Sequence, residues 1–145
     1  MHEDDGIVDE LKPQAVKAAG HSYSPYSQFP VGAAVASLTG RIYTGCNVEN
    51  ASFGLTQCAE RAALTAAIAD GAIPGSLPAL VIYTPGLRAH PPCGACRQVM
   101  HELMAPDSLV ASCCDGDDVK IWRRSEHLPE PFSPGALKHI THKDP

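Results

Sequence analysis

Ala79-Leu80-Val81-Ile82-Tyr83-Thr84 is followed by a loop from Pro85 to Pro92 and then by Gly94-Ala95-Cys96-Arg97-Gln98-Val99-Met100-His101-Glu102-Leu103-Met104-Ala105. The first run is aliphatic and β-branched at its centre and reads as a buried strand. The second sets Val99, Met100, Leu103 and Met104 at helical spacing, so it reads as a helix with one core-facing stripe. Strand, loop and helix in succession are the unit of an α/β fold.

The flanking sequence extends this unit in both directions. Val31 to Leu38 is small and apolar, Thr39-Gly40 is a turn, and Arg41 to Gly45 returns, which predicts a hairpin. Asn47 to Gly54 is a polar loop, and a helix begins at Thr56 or Gln57 and runs to Gly71. Near the start, Ile7, Val8, Leu11, Ala15, Ala18 and Ala19 form a helical stripe that Gly20 ends. Residues 1–6 are expected to be a flexible arm, with Pro13 in the first two turns of the helix, where it does least damage. Downstream, Val110 to Cys114 and Val119 to Trp122 read as strands joined by the turn Asp115-Gly116-Asp117. A divergent tail, residues 125–145, carries prolines at 129, 131 and 134 and one short helix around Leu137. The order predicts one domain over residues 1–145, a layered α/β sandwich on a mixed sheet of about five strands.

Bulk properties narrow the function. A chain of 145 residues that is 44% apolar can bury a core. Eleven basic against sixteen acidic residues leave a net charge of −5. No basic stripe is present, so the footprint of a nucleic-acid binder is missing and a small substrate is favoured. No apolar run reaches membrane-spanning length. The start, Met1-His2-Glu3-Asp4-Asp5, is acidic where a secretory signal is basic and then apolar. The expectation is a cytoplasmic protein, in which Cys-x-x-Cys more often binds metal or does redox chemistry than forms a structural disulfide.

The chemistry sits in Cys58-Ala59-Glu60 and Pro92-Cys93-Gly94-Ala95-Cys96. Three thiols can hold one zinc ion and leave a fourth position for water. Cys58 and Cys93 fall at predicted helix starts, where the dipole and free N–H groups stabilise thiolates. Three thiolates on Zn²⁺ carry a net charge of −1, which Arg61 and Arg97 are placed to offset by donating to sulfur. Glu60 could move a water proton or merely serve the helix dipole. Cys93-x-x-Cys96 alone would also suit a redox pair. With a fourth ligand from Cys46, Cys113, Cys114 or a histidine, it would suit a structural zinc site. Cys113 and Cys114 themselves read as buried packing. The helix-borne Cys-x-Glu with the proline before Cys93 favours the zinc nucleobase deaminase pattern.

These residues resemble the cytidine deaminase family in its small three-cysteine, homotetrameric form. The likeness runs from Tyr23 to Gln98, through Ser24-Pro25-Tyr26-Ser27-Gln28-Phe29-Pro30-Val31-Gly32-Ala33-Ala34, Gly45-Cys46-Asn47-Val48-Glu49-Asn50-Ala51-Ser52-Phe53-Gly54-Leu55-Thr56, Cys58-Ala59-Glu60-Arg61 and Pro92-Cys93-Gly94-Ala95-Cys96-Arg97-Gln98. It implies a three-layer α/β/α fold and one Zn²⁺ per chain on Cys58, Cys93 and Cys96, with Glu60 as proton shuttle. It implies Asn47 and Glu49 on the ribose hydroxyls, Phe29 against the pyrimidine, Ala59 offering its backbone to the base, and Phe132 as the aromatic of the family's C-terminal Leu-Leu-Pro-x-x-Phe segment. It implies sites shared between subunits. Phe53 stands where the family usually has tyrosine, and the stretch with Lys120, Arg123, Arg124 and Glu126 is unusually charged. The resemblance implies hydrolytic deamination of cytidine and 2′-deoxycytidine. Deamination of another cytosine nucleoside such as blasticidin S, and a non-enzymatic zinc-stapled binding module, are the alternatives.

Overall fold

The computed structural model describes residues 3–141, and side chains as far as Leu137. Five strands form one sheet in the order β2-β1-β3-β4-β5, where β1 is Gly32–Ala36, β2 Ile42–Cys46, β3 Leu77–Tyr83, β4 Met104–Cys113 and β5 Lys120–Arg123. Only the β3 and β4 pair is parallel; the others are antiparallel. The helices are α1 (Glu3–Ala19), α2 (Ala59–Ala69), α3 (Gly94–Leu103), α4 (Arg124–His127) and α5 (Pro134–Thr141). The parallel pair needs a crossover, and α3 supplies it.

Strand alternation builds two cores from one sheet. Ala33, Val35, Leu80, Ile82 and Val110 face α2 and α3, meeting Ala63, Leu64, Ala67, Cys96 and Met100. Their sequence neighbours Ala34, Ala79, Val81, Leu109 and Ala111 face α1, meeting Val8, Leu11, Ala15 and Ala19. The sheet is therefore covered on both sides, and the three layers are those implied above. Glycine sets the distance between layers. A Cβ on Gly32 would lie 1.8 Å from the Ala15 carbonyl oxygen, and one on Gly45 would lie 2.6 Å from both Ala59 O and Ala63 N.

Two local expectations are corrected. The first helix starts at Glu3, with Glu3, Asp4 and Asp5 in its first turn, where acidic side chains suit the dipole. Residues 3–6 are thus helical, and Met1 and His2 lie outside the described residues. Pro13 consequently lies inside the helix, where it cannot donate to Asp9 O. The last long strand begins at Met104, earlier than the expected Val110, and has exposed residues at Pro106 and Asp107. None of the six cysteines is in a disulfide.

Candidate active site

The site is built where α2 and α3 begin. Cys58 is the N-cap of α2, with φ −74° and ψ 150°, and Cys93 is the N-cap of α3, with φ −68° and ψ 164°. Cap residues lie outside the helical repeat, so Cys58 and Glu60 are released from the opposed directions of two helical residues two apart. Cys96 follows Cys93 by three and returns to its face. Cys93 Sγ lies 3.4 Å from Cys96 Sγ and 4.0 Å from Cys58 Sγ. The three sulfurs all lie within 4.8 Å of one another. Tetrahedral zinc with Zn–S bonds of about 2.3 Å separates its sulfurs by about 3.8 Å, so the triad fits that ion. Among the described residues no fourth ligand joins the group, and Cys46, Cys113 and Cys114 lie elsewhere.

Electrostatics separate the three thiols. Cys58 is lowered to about 5 because the Cys96 thiol donates to it, with Arg61 adding to the effect. The same contact, with burial, pushes Cys96 upward. Arg61 Nη2 donates to Cys58 Sγ at 3.2 Å and to Thr56 O at 3.5 Å. Arg97 does not reach a sulfur. It donates to Pro92 O at 2.9 Å and His127 O at 3.3 Å, so it braces the loop before Cys93 instead.

Glu60 is 6% exposed. Burial raises its carboxyl above the ordinary range, partly countered by the Cys96 thiol. Cys58, Cys93 and Glu60 border a cavity of about 210 Å³ that Phe29, Val31, Asn47, Thr56, Ala59, Ile82, Thr84, His90, Pro91 and Pro92 also line. Its cap-and-carboxylate end is polar, and Phe29, Val31 and Ile82 make an apolar wall suited to a flat ring.

Two loops are stitched to this cavity. Val48 and Gln57 exchange backbone hydrogen bonds of 2.9 Å, and Tyr23 N–H donates to Asn47 O at 3.1 Å. The Asn47 side chain is 8% exposed and heavily engaged. Its Oδ1 accepts from Val31 N–H at 2.9 Å and from the Ser22 hydroxyl, and its Nδ2 donates to Phe29 O at 2.8 Å. Asn47 therefore fixes the chain entering Phe29 and keeps one N–H uncommitted. Gln28 takes the left-handed conformation at φ 54° just before it. Glu49 Oε1 accepts from the N–H groups of Tyr26 and Ser27 at 3.0 and 3.1 Å. The Ser27 hydroxyl and these amides hold its carboxyl below the ordinary range.

Of the expected residues, Phe29, Asn47, Cys58, Ala59, Glu60 and Cys93 line one cavity. Cys96 is buried behind them in the triad. Glu49 stands on the adjoining loop, and Phe132 is 63% exposed and away from the cavity. His90 was missed. Its ring meets Phe29 edge to face at 6.2 Å; a histidine three residues before Cys93 was the available signal. Thr84 was missed as well, being read only as a strand end.

Residues 8–112 match the family described as the cytidine and deoxycytidylate deaminase zinc-binding region. A cytidine deaminase of Sporosarcina psychrophila is 46% identical over 132 residues, covering 91% of this chain and 96% of the relative. One of Halalkalibacterium halodurans is 42% identical over 123 residues, covering 85% and 92%. The crystal structure of cytidine deaminase from Burkholderia pseudomallei superposes with a TM-score of 0.83 at 41% identity, covering 91% of this chain and all of that one. That from Mycobacterium tuberculosis gives 0.71 at 38% identity, covering 86% and 96%.

Proposed function

The chain belongs to the cytidine and deoxycytidylate deaminase zinc-binding family, and from that premise we propose that it hydrolyses cytidine and 2′-deoxycytidine to uridine and 2′-deoxyuridine, releasing ammonia. The observation that carries this reading is the buried Glu60 carboxyl beside a three-thiol group that has no fourth ligand among the described residues. Zinc bound by Cys58, Cys93 and Cys96 would supply a Lewis acid that makes water acidic near neutral pH.

In this reading Glu60 performs the proton transfers. Its carboxylate takes a proton from the water that adds to C4 of cytosine and delivers it to N3. The tetrahedral C4 then expels its amino group, to which Glu60 passes the second water proton. Atoms balance as nucleoside plus water to keto product plus ammonia. A carboxyl raised by burial is suited to both halves of such a cycle. Arg61 spreads the charge of the triad through Cys58. Phe29 packs on the ring, Ala59 presents backbone to the base, and the uncommitted Asn47 N–H and the Glu49 carboxylate take the sugar hydroxyls.

We also propose a homotetramer whose sites are shared. Tyr26, Phe53 and Leu55, with Phe132, leave apolar surface at 50, 75, 71 and 63% exposure, which a second copy of the chain would cover. Glu60→Gln tests the chemistry. The variant keeps one zinc per chain, the wild-type fold and cytidine binding while losing at least about 10³-fold in kcat. Near-normal turnover would sink the assignment.

A further inference from the structure

The charged run beside β5 is the part of the chain that the deaminase reading leaves without a role. Arg123 pairs with Asp4 of α1 at 2.8 Å. Arg124 instead is buried, 8% exposed, at the C-terminal end of α3. Its guanidinium donates to His101 O at 2.7 Å and Ala105 O at 3.2 Å. These carbonyls lie at and just beyond the last turn of α3, where no helical N–H serves them. The same Nη1 meets Nδ1 of His101. A guanidinium has only donors, so Nδ1 accepts and the imidazole proton lies on Nε2. That N–H donates to Ser133 Oγ at 2.8 Å. One turn earlier on α3, Gln98 Nε2 donates to Phe132 O at 2.7 Å.

Arg124 thus selects the tautomer of His101, and His101 with Gln98 fastens Phe132 and Ser133 to α3. The fastening is needed because Pro129, Phe132 and Ser133 belong to no helix or strand, and an unpinned segment loses conformational entropy when it docks. Phe132 is exposed and does not reach its own subunit's cavity. We propose that His101, oriented by Arg124, is a positioning residue for the reaction: it holds the segment that presents Phe132 to the site of a second copy of the chain. This rests on the reading of Phe132 as a substrate-site residue, given above.

The test is a double-mutant cycle on the zinc-loaded oligomer, begun only after the wild-type protein is shown to deaminate cytidine. Absence of that activity would refute the proposed function and, with it, this inference; an active wild type with the outcomes named below refutes the inference alone. His101→Ala and Phe132→Ala should each raise KM for cytidine about tenfold, the size of one lost hydrogen bond and its ordering. kcat should stay within about twofold, and zinc content should not change. The double variant should match Phe132→Ala alone, because the pin then has nothing to present. His101→Gln, whose amide can accept from Arg124 and donate to Ser133, should bring KM back to within about twofold of wild type. If His101→Ala does not fold, Ser133→Ala breaks the same bond from the tail side and is read identically. The inference is overturned if either single variant keeps the wild-type KM. It is also overturned if the His101 change costs as much without Phe132 as with it.

Discussion

Gly45→Ala should strike the active site through the backbone of α2 rather than through any residue in the cavity. The new Cβ would stand 2.6 Å from Ala59 O and Ala63 N and 2.8 Å from the Ala62 Cβ. Ordinary contact begins at 3.4 Å, so α2 and β2 must part by about 0.8 Å. The obstructing atoms are mostly backbone, which cannot swing aside as a side chain does. Overpacking of this kind costs about 1 to 3 kcal/mol, or roughly 3 to 10 °C in Tm for a chain of this size. The displaced helix starts at Cys58 and carries Glu60. A misplacement near 1 Å is worth about 100-fold in rate, so kcat/KM for cytidine should fall by about that factor. Thermal melting, zinc content and loss of cytidine absorbance would be measured on one preparation. Gly6→Ala is the control, since its Cβ meets nothing within 4 Å; it should leave kcat/KM near wild type and, lying in α1, keep or slightly raise Tm. A Gly45→Ala enzyme with unchanged Tm and kcat/KM would refute the reasoning.

Two further outcomes are expected. Arg61→Ala removes the donor to Cys58 Sγ and should weaken zinc binding by about 10- to 100-fold, seen as faster loss of zinc to a chelator; unchanged retention would show that the contact does not tune the metal. Burial, with Arg97 nearby, lowers His127 from 6.5 to about 4. The folded state then holds fewer protons than the unfolded chain between those values, so His127 contributes stability above pH 6.5 that is lost as pH falls toward 4. Its imidazole NMR signal should titrate near pH 4, and His127→Leu should flatten the fall in Tm over that window.

The individual strands and the two ligand-bearing motifs were legible in the sequence because each depends on short-range pattern. Alternation along β3 separates Leu80 and Ile82 from Ala79, Val81 and Tyr83, and the two sets do enter different cores. The N-cap placement of Cys93 follows from a loop that stops where helical spacing starts, whereas the second helix, expected from Thr56 or Gln57, begins at Ala59 and makes Cys58 its cap instead of a first-turn residue. Other features rest on direction and distance, which spacing does not carry. Arg97 adjoins Cys96 in sequence, yet its guanidinium turns to Pro92 and His127. Arg124 meets His101 from 23 residues away. Nothing local marks either partner. The acidic start read as an arm because it lacks an apolar stripe, although Glu3, Asp4 and Asp5 are what a helix N-terminus favours. Cys113 and Cys114 are buried as expected. Cys113 donates to Ile82 O at 3.2 Å, and burial pushes it up to about 11, so it stays a thiol.

The saturation of Asn47 has a consequence for the sugar recognition proposed for it. Both Oδ1 lone pairs and one amide proton are spent on Ser22, Val31 and Phe29. What remains is a single N–H, so Asn47 can recognise an acceptor and nothing else. The Glu49 carboxyl, held below the ordinary carboxylate range by Ser27 and the amides, can as a carboxylate recognise only a donor. A hydroxyl placed between them is read in both directions at once. Fluorine in its place would answer the amide and leave the carboxylate unanswered, and an ammonium would do the reverse. If Asn47 and Glu49 take the sugar as proposed, the loop that holds Phe29 in position is also a two-sided test for a hydroxyl group.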